Sequence, residues 1–299
     1  VNRVFVIAAV LGLEAALLVV LILRLQNLDS RETRRLEIRL PTGRQCSVFL
    51  PFGPVSGGGP PLVVLIHGLG VNRHTMVALA RALARNGYAA AAVDVSLNPF
   101  STGTSVVREM NIALAALKKL DVVDGSSIAL IGHSMGAGAA VALATQRTDV
   151  RAVVLVSGGC AWGGARPPNA LVILASFDSS QLASACRSAL GPTDTARRNF
   201  SREASDEEFA TNQASELVTV PWATHASVIG SQVTAALTVK WLDRAFGVRR
   251  TTSVDVTDAG APLEWLALIT FGTIVLTLAL GARWILGLRA ESSRRRERS

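Results

Sequence analysis

From Arg34 to Phe246 the hydrophobic positions follow two rhythms: short unbroken apolar runs alternate with longer stretches whose apolar residues recur at helical spacing. The runs are PLVVLI (Pro61 to Ile66), Tyr88 to Val93, Ile128 to Ile131, Arg151 to Val156, Leu171 to Ala175 and Leu217 to Val220. Too short for helices and apolar on both faces, they read as strands covered from both sides. Helical spacing marks Arg73 to Asn86, ended by Gly87, then Ser105 to Leu120, the Ala-rich Met135 to Ala144, and Ser227 to Phe246. Ahead of them, RRLEIRL (Arg34 to Leu40) and RQCSVFL (Arg44 to Leu50) flank Pro41, Thr42 and Gly43 and predict an antiparallel pair, and PVSGGGPP reads as a flexible linker. Alternating strands and helices imply an α/β domain over residues 33–247, a mostly parallel sheet with helices on both faces. Ligands of such sheets bind beyond the C-terminal ends of the strands.

Two further runs are longer. Val4 to Leu23 is apolar except for Glu14, and Trp265 to Ala282 is apolar until Arg283, after which WILGL continues. A bilayer core needs about 20 apolar residues, so residues 4–23 and 263–288 are expected to be transmembrane anchors. A cleaved signal peptide would have a shorter apolar region ending in a small-x-small site, whereas LILRLQNLD follows here. Glu14 reads as a tolerated polar residue that snorkels or pairs. The composition agrees: 49% hydrophobic and 17% charged residues are too apolar for an ordinary soluble domain.

The net charge of +8 is half accounted for by the tail, where six Arg and two Glu between Arg283 and Ser299 give +4. A basic tail at 289–299, with no basic stripe interleaved with aromatics elsewhere, points to membrane lipid as a partner and against nucleic acid. Two spans put both termini on one side. Arg294 to Arg296 and Arg298 draw the tail to the cytoplasm, and Arg24, Arg31, Arg34 and Arg35 oppose them. The short tail is given more weight, so the domain is expected on the outer face of the plasma membrane. Cys46, Cys160 and Cys186 are too few and too odd in number for a disulfide framework, lie in no metal-type spacing, and leave the redox compartment open.

The chemistry concentrates in SIALIGHSMGAGAAVALA, residues 127–144. An apolar strand, then GHSMG, then a helix is the context a nucleophile elbow requires. Gly132 and Gly136 fit a turn too tight for side chains two residues either side of Ser134. The helix start aims backbone N–H groups at a developing oxyanion. Among the histidines, His133 is locked in the elbow and His74 falls early in a surface helix. His67 and Gly68, in HGLG at a strand end, look structural, and the Leu69 N–H is the natural second oxyanion donor beside that of Met135. His225 remains as the base, after the strand LVTV and before a helix. The acid should fall at a strand end between serine and histidine. LVILASFD offers Asp178, with a helix-capping Asp near Ser180 as the plainer reading. Asp149 precedes a strand, Asp94 precedes the serine, and Asp194, Asp206, Glu207 and Glu208 lie in a polar stretch expected to be solvated.

HG at His67, GHSMG around Ser134, ASFD ending at Asp178 and THAS containing His225, in this order, resemble the α/β-hydrolase superfamily over about residues 33–247. The short link between Val156 and Leu171 has no room for a cap and resembles the lidless, dienelactone-hydrolase-like members. WLDRAFG followed by a hydrophobic segment resembles uncharacterised membrane-bound prokaryotic hydrolases. The long interval from Asp178 to His225 departs from a minimal member. Its extra residues, Gly191 to Gln213, are hydrophilic, with a capping-box pattern for a short helix at Ser205 and Glu208, and are expected to form a surface loop rather than a lid.

The resemblance implies acyl transfer to water through Ser134, His225 and Asp178, with no cofactor and no metal. The membrane setting and an apolar loop, Leu97 to Phe100, favour a small lipophilic ester. Thioesterase, acyltransferase or peptidase chemistry on the same triad, and a non-catalytic binding protein on the same fold, are the alternatives.

Overall fold

The computed structural model describes residues 12, 14–16, 33–52, 58–97, 103–162, 166–190, 204–256, 270–275, 277–279 and 281–282. The chain divides into two compact units, residues 1–31 with 261–299 and residues 32–260.

The larger unit is built on eight strands: β1 Arg34–Arg39, β2 Gln45–Leu50, β3 Pro61–Ile66, β4 Ala89–Val93, β5 Asp124–His133, β6 Val150–Val156, β7 Ala170–Ala175 and β8 Ser215–Val220. Their order across the sheet is β1-β2-β4-β3-β5-β6-β7-β8. The first two strands form the expected hairpin, in which Leu36 faces Val48 and Ile38 faces Cys46, and β2 joins β4 antiparallel. Every later pairing is parallel.

The continuous apolar runs serve both faces because successive side chains point to opposite sides. Val63, Leu65, Ala90, Ala92, Ile131, Val154 and Ile173 look one way, toward α1 Val77–Arg85 and α6 Gln232–Phe246. Leu62, Val64, Ile66, Ala89, Leu130, Val153 and Leu155 look the other way, toward α2 Gly103–Leu117 and α3 Met135–Ala144. Helix α4, Ser180–Leu190, adds Cys186 to this second face.

Several expectations shift. The first predicted helix begins as a 3-10 turn, Arg73–Met76, before α1. The last is broken at Ser231, whose side chain caps α6 by accepting from the Val233 amide, and a short 3-10 turn precedes it. The chain does not leave the unit at Gly247. Arg250 donates twice to Asp243 (2.7 and 2.8 Å) and once to the Asn86 carbonyl (2.9 Å), the Asp255 amide donates to Asn86, and Val254 and Val256 pack on the core.

In the hydrophilic insertion the short helix expected at Ser205 forms, while the surface-loop reading is corrected in part. Residues 191–203 lie outside the described residues, but the segment after them is not a solvated loop. Ser205 and Glu208 form both bonds of the capping box that starts α5, Asp206–Ala210. This helix buries Phe209 edge-on against Trp241, at 4.6 Å between ring centroids, beneath the Arg244 guanidinium. Phe209, an aromatic residue in a polar stretch, was the signal for an anchored segment.

The predicted spans 4–23 and 263–288 lie largely outside the described residues. Among the described residues no helix is long and apolar enough to cross a membrane. Glu14 and Thr277 do pair, the hydroxyl donating to the carboxylate.

Candidate active site

Strand β5 ends at His133 and α3 begins at Met135, which leaves Ser134 alone to turn the chain. It does so with φ 54° and ψ −118°, a conformation that costs a non-glycine residue about 1–3 kcal/mol. The turn holds because its neighbours have no side chains. A Cβ on Gly132 would stand 2.4 Å from Ala137 Cα, and one on Gly136 would stand 2.2 Å from the His67 carbonyl oxygen. One glycine that sequence reasoning passed over is as strict: a Cβ on Gly158, in the loop after β6, would meet the Ser134 carbonyl oxygen at 2.2 Å. Its signal was the Ser-Gly-Gly that follows an apolar run.

The loops after β5, β7 and β8 bring three of the expected residues together. His225 Nε2 lies 2.9 Å from Ser134 Oγ, and His225 Nδ1 lies 2.7 Å from Asp178 Oδ1. A carboxylate can only accept, so Nδ1 carries the proton and Nε2 is free to accept from the serine hydroxyl. The second Asp178 oxygen accepts from Ser157 Oγ at 2.6 Å and from the Ala175 amide at 2.8 Å. The Asp178 side chain is 1% exposed and that of His225 48% exposed. The carboxylate is therefore fixed in the interior, and the imidazole can be reached by solvent and ligand. Ser157, a buried residue at φ 49°, was not foreseen. A serine directly after a strand carries no message until the acid is seen beside it.

The Leu69 and Met135 amides lie on the two segments that flank Ser134, the HGLG loop and the first turn of α3. Among the described residues, neither is taken by a carbonyl or side chain. The HGLG loop crosses directly over the elbow, so that a Cβ on Gly68 would be 3.3 Å from Ser134 Cβ.

The other candidates are occupied elsewhere. His67 is buried, its Nδ1 2.7 Å from the Gly68 carbonyl and its Nε2 accepting from the Val95 amide at 3.1 Å. His74 is exposed. Asp94 takes two bonds from Arg73. Burial raises the Asp149 pKa, but bonds from Arg147 and Lys118 outweigh it and hold the carboxyl at about 2. Asp206 points to solvent, with an ion pair to Arg244. A groove of about 820 Å³ along α2 and α3, lined by Val107, Arg108, Ile112, Ala142 and Gln146 among others, includes none of Ser134, His225 and Asp178.

His133 donates from Nε2 to the His225 carbonyl at 2.8 Å, and its Nδ1 is buried with no partner. Burial pushes its pKa below the ordinary histidine value, outweighing the hydrogen bond to the His225 carbonyl, which acts the other way. The unfolded chain then binds a proton that the folded chain resists. Stability is full above about pH 6.5 and falls as the pH drops below it. Melting temperatures measured from pH 7.5 to 5 should fall less steeply in His133→Gln than in the wild type.

The cysteines need a correction. Three do not make a framework, yet two of them meet: Cys160, in the loop after Ser157 and Gly158, is bonded to Cys186 of α4, and Cys46 stays free and buried. A separation of 26 residues gave no sign of this, because the parallel crossover from β6 through β7 to α4 is what closes the distance. A loop of that size is worth about 3.5 kcal/mol. Cys186→Ser should melt on the order of 10 °C lower by calorimetry.

The sheet order, the helix layers and the strained serine at the end of β5 define a class, and the comparisons agree with it. A family model described as alpha/beta hydrolase fold matches residues 61–182. Residues 61–182 thus match the alpha/beta hydrolase fold, and the strand order of the larger unit agrees with it. Among solved structures it is similar to a dienelactone hydrolase from Anabaena variabilis, with 18% identity over 71% of this chain and 98% of that one, at a TM-score of 0.53. It is also similar to an esterase from Pyrobaculum calidifontis, with 15% identity over 80% of this chain and 94% of that one, at a TM-score of 0.51. The expected likeness to dienelactone-hydrolase-like members is thus met at the level of fold. No curated protein matches the chain.

Proposed function

We propose that this protein is a membrane-anchored serine hydrolase that cleaves a lipophilic carboxylic ester through an acyl-enzyme. The observation that carries this reading is the unbroken relay from Ser134 Oγ through His225 to the buried Asp178 carboxylate.

In the proposed cycle Ser134 Oγ attacks the ester carbonyl carbon while its proton passes to His225 Nε2. Asp178 keeps the ring oriented and balances the imidazolium charge. The tetrahedral oxyanion takes the Leu69 and Met135 N–H groups. Collapse expels the alcohol, which leaves with the proton from Nε2. Water then attacks the acyl-enzyme, with His225 as base, and releases the carboxylic acid and the free serine. None of these steps calls for a cofactor or a metal.

A lipophilic substrate is favoured by the exposed apolar side chains at or within three positions of the site residues: Leu69, Met135, Phe177 and Trp222. Leu97 to Phe100 falls mostly outside the described residues. The outer face of the membrane is favoured by the Cys160–Cys186 bond, since cystines form and persist in oxidising compartments. The anchors at 4–23 and 263–288 rest on their apolar sequence alone.

A panel of p-nitrophenyl esters of rising acyl length, with matched thioesters and anilides, tests the reaction class. Turnover highest on esters of medium or long chains is expected. Preference for thioesters or anilides would move the function to thioesterase or peptidase. No turnover of any of them would favour a non-catalytic role.

A further inference from the structure

We propose that His133 is a positioning residue that holds the His225 loop in place, above all while Ser134 is acylated. The inference rests on the serine-hydrolase reading above.

The base needs such support. His225 sits in the turn between β8 and the 3-10 helix at Val228–Gly230, and nearly half of its side chain is open to solvent. The Ser134–His225 hydrogen bond holds ring and nucleophile together only in the free enzyme. Once Oγ carries an acyl group it has no proton to give, and that bond is gone. Yet this is when His225 must activate water. Two restraints then remain at the residue itself: the Asp178 bond to Nδ1, and the bond from His133 Nε2–H to the His225 carbonyl. Among the described residues no other group donates to that carbonyl.

The geometry suits a fixed strut. His133 ends β5, one peptide bond before Ser134, so its bond to His225 ties the nucleophile's strand to a loop 92 residues away. Its tautomer is determined: a carbonyl accepts only, so Nε2 holds the proton, and Nδ1 lies buried against Gly68, where a Cβ would stand 3.2 Å away. Gly68 leaves the space for the ring. The two imidazoles stand 5.2 Å apart, tilted by 44°. A charged His133 would oppose the imidazolium that forms on His225 in each half-reaction. Burial disfavours a charge on His133 and so weakens that opposition.

The test compares full-length wild-type protein with His133→Met, His133→Asn and His133→Gln, each checked for a cooperative melt. Met fills the space without a donor, the Asn amide stops short of the carbonyl, and the Gln amide reaches the position of Nε2. On p-nitrophenyl butyrate, kcat should fall about 10- to 100-fold in Met and Asn, by analogy with loss of the hydrogen-bond partner that orients a metal-bound histidine. A butyryl adduct on Ser134 should build up in quenched mass spectra, because deacylation suffers most. Gln should bring kcat back to within about threefold of wild type.

Met and Asn variants within about threefold of wild type would overturn the proposal. So would an equal loss in all three variants without the adduct, which would indicate packing alone. Fluorophosphonate labelling of the wild type separates the two levels. Labelled wild type with an indifferent Met variant ends only the positioning role. Wild type that is neither labelled nor active removes the serine-hydrolase reading and this inference with it.

Discussion

Ser134→Ala is expected to abolish labelling by a fluorophosphonate probe and to lower ester turnover by about 10⁶-fold, the scale on which loss of a triad nucleophile acts. Among the described residues nothing else can replace the hydroxyl: the one hydrogen-bond partner of His225 Nε2 is Ser134 Oγ. Folding should survive, because alanine meets the same backbone strain at φ 54° that serine tolerates. The strain also predicts a difference between two inactive variants. Glycine adopts this conformation at little steric cost, so Ser134→Gly should be more stable than Ser134→Ala by about 1 kcal/mol in urea titrations. Labelling that persists in Ser134→Ala would place the nucleophile elsewhere.

Asp178→Asn is expected to cost about 10⁴-fold in kcat with the fold intact. The carboxylate has three donors around it and no acceptor: His225 Nδ1, Ser157 Oγ and the Ala175 amide. An asparagine must turn its NH₂ group toward one side. The Ala175 amide belongs to β7 and cannot reorient, so the Asn oxygen goes there and the NH₂ faces His225. The ring must then place its proton on Nε2, where it can no longer accept from Ser134. Steady-state kinetics beside circular dichroism would check this. Near-wild-type activity in Asp178→Asn, with a large loss in Asp206→Asn, would assign the acid to the insertion.

Strand and helix periods, the glycines two residues either side of Ser134, and the order Ser134, Asp178, His225 were all legible in the sequence. Each is set by local constraints: the covering of both strand faces, the tightness of one turn, the direction in which parallel strands end. The helix from Met135 to Ala144 and the strand from Pro61 to Ile66 match the structure residue for residue. The second oxygen of Asp178 finding Ser157, Gly158 meeting the Ser134 carbonyl, Cys160 bonding Cys186, and His133 reaching the His225 carbonyl were not legible. In each, the partners are distant in sequence or separated by a crossover, and the residue alone has a common local meaning: a serine after a strand, a glycine in a loop, a buried histidine. Only the lateral order of the strands brings the loops after β5, β6, β7 and β8 to one edge of the sheet. The sequence by itself singled out Ser134, Asp178 and His225, which the structure brings together, because backbone sterics and hydrophobic period act over a few positions. The tertiary structure decided what orients them, because a hydrogen bond between segments 21 or 92 residues apart exists only once the sheet has fixed their distance.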